Sequence, residues 1–251
     1  VTARTILVLG ATGATGRRVV AELLERGHSV RAMVRSTSRL PAELRAHPRL
    51  QVIEGSALEL DRATLTGSLA DCDAVVSCLG HRLGFRGVFG SPRRLVTESV
   101  VRLCTAIEES RQESPVRFVL MSSAGVRNRG LEERVSSAER LVLLLLRLLL
   151  PPHADNEQAA EYLHTGIGRD NAAIEWCVVR PDTLLEGDAA GDYDTHESPT
   201  RSAIFNAGQT RRAQVAQFMA LLATDDELWG RWRFRMPVIY NRENRGVHDD
   251  P

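Results

Sequence analysis

The chain contains no lysine, and all 32 of its basic residues are arginine. Chemistry that needs an ε-amino group, whether a Schiff base or a cation that lowers the pKa of a neighbouring phenol, is therefore excluded. Tyrosine is nearly as scarce. Tyr162, Tyr193 and Tyr240 are the three present, and none has a cation four residues downstream. Net charge is lacking too, since 32 acidic residues balance the 32 basic ones. No long-range field draws nucleic acid or an anionic membrane, and neither is expected as a partner. The cysteines Cys72, Cys78, Cys104 and Cys177 lack metal-ligand spacing, and most lie in or beside apolar runs. They read as reduced core thiols, with no metal site. No apolar run approaches the ~20 residues that span a bilayer. The longest, Leu141 to Leu150, is interrupted by Arg147 and stopped by Pro151 and Pro152. The chain enters a strand without a charged-then-apolar leader, so a cytoplasmic location is expected.

What is present begins with Gly10-Ala-Thr-Gly-Ala-Thr-Gly16, directly after the apolar run Ile6 to Leu9. A strand feeding a glycine-rich turn and then an amphipathic helix is the arrangement that cradles a dinucleotide pyrophosphate. Gly10 suits the unusual dihedral of a sharp turn, Gly13 lets a pyrophosphate approach the backbone, and Gly16 lets helix and strand pack closely. Thr12 and Thr15 add hydroxyl donors. The helix that starts near Ala14, with Val19, Val20, Leu23 and Leu24 on one face, turns its free N–H groups and dipole toward the phosphates.

Strand-like and helix-like patterns then alternate to the end, which predicts an α/β fold with a Rossmann-type doubly wound parallel sheet. Strands are expected at 5–9, 29–34, 51–53, 74–78, 116–121, 175–179 and near 236–240. Helices are expected near 14–26, 62–69, 93–109, 132–149, 156–165 and 211–223. The whole of 1–251 reads as one NAD(P)-binding domain, with 183–240 as a small substrate-side elaboration and 241–251 as a frayed tail. Gly187 to Ser202, rich in Asp, Gly, Thr and Pro, reads as an irregular lid. The leucine run 141–150 is expected to be buried in the core or at a homo-oligomer interface, or else to wall an apolar pocket. Trp229 and Trp232 stand three apart and are expected to pack on one helical face.

At the end of the second strand, Val34-Arg35-Ser36-Thr37-Ser38-Arg39 offers two guanidinium groups and several hydroxyls with no competing acid. That chemistry matches a ribose 2′-phosphate and points to NADP(H) over NAD(H). These segments, together with Ser77-Cys78-Leu79-Gly80-His81-Arg82, Met121-Ser122-Ser123-Ala124 and Val179-Arg180-Pro181-Asp182, resemble an atypical short-chain dehydrogenase/reductase. The subgroup is the NAD(P)H-binding one that includes NmrA-like proteins and the flavin and biliverdin reductase. The resemblance implies a cofactor site in which Ser56 and Ala57 line the adenine. It places Leu79, Gly80, His81 and Arg82 along the pyrophosphate and nicotinamide ribose, and Ser122, Ser123 and Pro181 on the nicotinamide side.

The departure is in the chemistry. The wider superfamily exchanges a proton through a Tyr-x-x-x-Lys pair, which this chain cannot form. His153 and Glu157 fall at the corresponding positions. Ser123 and His153 are the candidate catalytic groups, with His81, Asp182 and Tyr193 nearby. Acceptors that delocalise the incoming charge need little side-chain acid. An NADPH-dependent oxidoreductase acting on a planar, conjugated or quinone/carbonyl-type small molecule is therefore expected. The alternatives are a non-catalytic NADP-sensing NmrA-like regulator, or a biosynthetic isomerase or lyase that has repurposed the cleft.

Overall fold

A computed structural model describes residues 2–81, 90–133, 136–187 and 191–242. Its central sheet runs β3-β2-β1-β4-β5-β6-β10-β8. These strands are β1 Thr5–Leu9, β2 Ser29–Val34, β3 Leu50–Glu54, β4 Ala74–Ser77, β5 Val116–Met121, β6 Ile174–Pro181, β8 Tyr193–His196 and β10 Val238–Asn241. The first six keep the 3-2-1-4-5-6 order of doubly wound dinucleotide folds, all parallel. β10 continues parallel to β6, and β8 closes the edge antiparallel to β10. A separate parallel pair joins β7 Thr183–Leu185 to β9 Gln209–Arg211.

The alternation of side chains along β1 divides the core in two. Ile6 and Val8 face a layer with Val19, Val20 and Leu23 of α1 (Gly16–Glu25) and Phe218 and Met219 of α7 (Arg212–Thr224). Leu7 and Leu9 face the other layer. There they meet Val100 and Leu103 of α4 (Leu95–Ser110) and Ala159 and Ala160 of α6 (Pro151–Glu161). Burial on both faces is why these strands read as continuous apolar runs. Short helices α2 (Ala42–Arg45) and α3 (Arg62–Ser68) connect the first half of the sheet. In α8 (Asp226–Trp232), Trp229 and Trp232 are both buried, as expected from their spacing.

Several expectations are corrected. The segment expected to be irregular from Gly187 contains β8, whose four half-buried residues pair with β10. As an edge strand it has no apolar run to announce it. The expected tail begins inside β10, since Asn241 is its last residue and Arg242 pairs with Asp194 at 2.9 Å; residues 243–251 lie outside the described residues. α6 begins at Pro151, five residues earlier than expected, because a helix tolerates proline in its first turn. A π-helical turn, Tyr162–Ile167, extends it.

The largest correction concerns α5 (Ser137–Leu149), the leucine helix. It is not core: Leu141, Leu144 and Leu149 are 58%, 51% and 64% exposed. The helix lies beside α6 at one end of the sheet, and its outer face finds no cover among the described residues. Among those residues no helix is long and apolar enough to cross a membrane, and no cluster of His, Cys, Asp or Glu could hold a metal.

Candidate functional site

The turn between β1 and α1 has the geometry its glycines foretell. Gly10 sits at φ +70°, and a Cβ there would stand 2.5 Å from the Cys78 carbonyl oxygen, so β1 and β4 approach at backbone distance. Gly13 N–H donates to the Gly10 carbonyl at 2.8 Å and closes the turn. At Gly16 a Cβ would overlap that same carbonyl group, its carbon only 2.7 Å away, so this glycine lets α1 pack on the turn. Above the turn lies a cavity of about 560 Å³, bordered by Gly10, Thr12 and Gly13 on one side and by Cys78, Leu79 and Gly80 at the end of β4 on the other. Arg17 and Arg18 N–H in the first turn of α1 donate to the Gly13 and Thr15 carbonyls at 3.0 Å each, so what the helix offers an anion at this end is chiefly the positive end of its dipole.

Ala14 and Thr15 lie in the turn and Gly16 opens α1, and none of the three borders the cavity. Thr15 is buried, and its hydroxyl accepts a hydrogen bond from Arg212 Nη1 at 3.2 Å instead of facing the cavity. Arg212 in turn pairs with Glu186 at 2.7 Å, and Glu186 also meets Arg18 at 3.5 Å. Two guanidinium groups therefore stand at the N-terminal end of α1. Sequence reasoning missed Arg212 because it arrives from 197 residues away, and Arg18 because its contact with Glu186 is what marks it out from the solvated face of α1.

At the far end of the cavity stand Arg35, Arg39, Ser56 and Ala57. Among the described residues neither arginine has an ion-pair partner, although Arg4, Arg62, Arg117 and Arg233 all do. Ser36 is turned to Ser38, with its hydroxyl 2.9 Å from the neighbouring one. Ser56 Oγ accepts from Leu58 N–H at 3.3 Å and shapes the turn after β3. Burial pushes the Cys78 thiol up to about 12, so this wall offers no thiolate. The cradle left open by Gly13, the helix N-terminus and the two guanidinium groups fit the phosphates of an NAD(P)H-type dinucleotide.

A second group of candidate residues is built where β5 and β6 finish. Ser122 N–H donates to Val179 O at 2.8 Å and Ala124 N–H to Pro181 O at 2.9 Å. This brings Ser122, Ser123 and Pro181 together at neighbouring strand ends. A Cβ on Gly125 would lie 3.5 Å from His153 Cε1, 3.7 Å from Ser123 Oγ and 3.8 Å from Leu143 Cδ2. The two candidate catalytic side chains thus converge on the space this glycine leaves, beside a leucine of α5. His153 is not a cap, because Leu150 holds that position. Burial lowers the His153 pKa below its ordinary value, and Arg147 adds to this while Glu157 opposes it. Glu157 itself pairs with Arg129 and Arg147, each at 3.3 Å.

Three other candidates are engaged elsewhere. Asp182 accepts N–H hydrogen bonds from Thr183 and Gly208, each at 2.8 Å, and burial pushes its carboxyl pKa up. The Tyr193 ring packs against Phe218 at 5.8 Å, and burial raises its phenol. His81, expected along the cofactor, turns its imidazole to the buried Asp155, with Nε2 2.8 Å from Oδ2. Arg82 lies outside the described residues. Asp155 was not anticipated: it lies 74 residues from His81, and nothing in the local pattern singles it out.

Comparisons with known proteins agree with this geometry. The family model for NAD(P)H-binding proteins matches residues 10–226. An uncharacterised chloroplastic protein of Arabidopsis thaliana is 29% identical over 187 residues, 74% of this chain. The match covers 61% of that relative's length. A short-chain dehydrogenase/reductase from Veillonella parvula, solved in complex with NADP, superposes with a TM-score of 0.69 at 20% identity over 96% of each chain. An anaerobillin reductase from Escherichia coli O157:H7 superposes with a TM-score of 0.66 at 18% identity, over 95% of this chain and 98% of that one. These two likenesses establish the fold. The glycine turn, the cavity above it and the family match together show that this chain belongs to the NAD(P)H-binding family.

Proposed function

We propose that this protein is an NADPH-dependent reductase of a planar, conjugated small molecule. The observation that carries the reading is a pair of side-chain clusters beyond the carboxyl ends of strands of one parallel sheet. After β2, Arg35 and Arg39 border the cavity with no ion-pair partner among the described residues; after β5, Ser123 converges with His153 and Leu143 on Gly125. Two guanidinium groups, neither of them ion-paired to the one acid of the same cavity wall, Glu59, among the described residues, suit a 2′-phosphate dianion, which a ribose diol would not need. When bound, NADPH supplies a hydride.

The chain's own groups do the rest. Gly13 and the α1 N-terminus seat the pyrophosphate, and Ser122 and Pro181 flank the nicotinamide position. Ser123 Oγ–H donates a hydrogen bond to the acceptor's oxygen or nitrogen. His153, which burial biases toward the neutral imidazole, delivers a proton only when charged. Weak acid assistance of this kind suits acceptors that delocalise charge, such as quinones, flavins, enones or linear tetrapyrroles. Leu143 supplies an apolar wall for such a ring. The exposed face of α5 is available to a second copy of the chain, so a homo-oligomer through 141–150 is part of the proposal. Four unpaired, buried cysteines suit a reducing compartment such as the cytoplasm.

The test is steady-state oxidation of NADPH and of NADH against a panel of these acceptors. Saturable turnover with NADPH and a much weaker response to NADH supports the reading. The second reading, an NADP-sensing regulator, draws on the exposed leucines of α5 beside the nicotinamide end. Tight NADPH binding, no turnover with any acceptor, and NADP-dependent capture of a protein partner through α5 would favour it.

A further inference from the structure

Helix α6 carries two polar side chains with different tasks. His153 faces the rim of Gly125. Two positions on, a helix turns its side chain to another side, and Asp155 is 1% exposed. Its Oδ2 accepts Val96 N–H at 2.8 Å, and its Oδ1 accepts Thr97 N–H at 2.9 Å and the Thr97 hydroxyl at 2.6 Å. A carboxylate withdrawn from water needs such donors. These three hold the first turn of α4, whose Leu95 borders the cofactor cavity. The fourth donor is His81 Nε2, at 2.8 Å. His81 directly follows Leu79 and Gly80, which form the cavity wall at the end of β4.

One buried carboxylate thus joins the end of β4, the start of α4 and the helix that presents His153. Capping of α4 alone would need Val96 and Thr97 but not His81. We propose that Asp155 is a positioning residue. Through His81 it fixes the Leu79–Gly80 main chain against the nicotinamide half of NADPH, and through α6 it sets His153 opposite Ser123. This rests on the reductase reading above, but its test needs no turnover.

The experiment compares the wild type with His81→Ala, Asp155→Asn and Thr97→Val. Each is titrated with NADPH and with adenosine 2′,5′-bisphosphate, which lacks the nicotinamide half, and the emission of bound NADPH is recorded. Loss of a charge-assisted hydrogen bond that orders the wall should weaken NADPH binding by about tenfold in His81→Ala and Asp155→Asn. The fragment should bind all variants alike, and the emission of bound NADPH should shift toward that of the free form. Thr97→Val, which removes the hydroxyl bonded to Asp155 but keeps the His81–Asp155 contact, should lower Tm and weaken NADPH binding less than His81→Ala does. Equal loss for NADPH and the fragment, or no loss for either, would overturn the proposal. If Asp155→Asn does not fold, His81→Ala decides alone. A wild type that binds NADPH but turns over no acceptor defeats the reductase reading and leaves this test intact. A wild type that binds no NADPH defeats both.

Discussion

Gly13 and Gly16 lie three residues apart in one turn, yet adding a methyl to each should do opposite things. At Gly16 the new Cβ would overlap the Gly10 carbonyl group and stand 3.2 Å from Ala11 Cα. All of these are backbone atoms, so α1 must move away from the turn. Overpacking of this kind costs about 1–3 kcal/mol, partly offset by alanine's better helix propensity. In a domain of this size each kcal/mol shifts Tm by about 2–4 °C, so Gly16→Ala should melt roughly 3–8 °C lower. At Gly13 the nearest atom to a Cβ is the Gly10 oxygen at 3.1 Å, and the residue has no positive φ. The turn yields by a few tenths of an ångström and Tm should stay within about 2 °C of wild type. The methyl does, however, occupy the space a pyrophosphate needs. Loss of one or two charge-assisted hydrogen bonds, about 1.5–3 kcal/mol each, weakens NADPH by roughly tenfold to several hundredfold or more. Differential scanning calorimetry and equilibrium titration with NADPH read the two effects separately. Gly13→Ala binding like wild type, or Gly16→Ala melting like wild type, would refute the assignment of these glycines.

Other perturbations follow from the same structure. Arg180 is wholly buried and its Nη1 lies 2.7 Å from Glu133 Oε1, itself 2% exposed. Glu133→Gln leaves a buried guanidinium without its counter-charge and should cost about 3–5 kcal/mol in urea unfolding. The conservative swap costing under about 1 kcal/mol would contradict the pairing. Arg35→Ser combined with Arg39→Ser should bring the Kd for NADPH close to that for NADH, and salt should weaken NADPH binding less than in wild type. Unchanged discrimination would place the 2′-phosphate elsewhere. His153 has a lowered folded pKa, so its unfolded form binds the proton more tightly. Stability is therefore complete above pH 6.5 and declines as pH falls below it toward the folded value. His153→Gln should flatten that acid decline. If His153 is the proton donor, kcat should rise as pH drops below 6.5 in wild type, and this rise should vanish in the variant.

How much of this was legible in the sequence depended on where each element sits. β1, β2 and β5 match their expected bounds residue for residue, because strands buried on both faces carry continuous apolar runs. β8 was invisible for the opposite reason, being a short, half-buried edge strand in a polar stretch. The leucine helix shows the limit most clearly. Its apolar character predicts that something covers it, but pattern alone does not say that this chain leaves Leu144 and Leu149 bare. In the site, the glycines and Arg35 were readable because a local turn dictates them. The Thr15–Arg212 and His81–Asp155 contacts were not, since each depends on the fold bringing distant segments together.

The most direct test of the central claim is a single-turnover measurement. The protein is loaded with NADPH and mixed with a quinone, a flavin, an enone or a linear tetrapyrrole while the reduced-nicotinamide absorbance is followed. The account predicts exponential loss of that absorbance with at least one conjugated acceptor, slowed in Ser123→Ala. Persistence of the absorbance with every acceptor, in a protein that demonstrably holds NADPH, would contradict it.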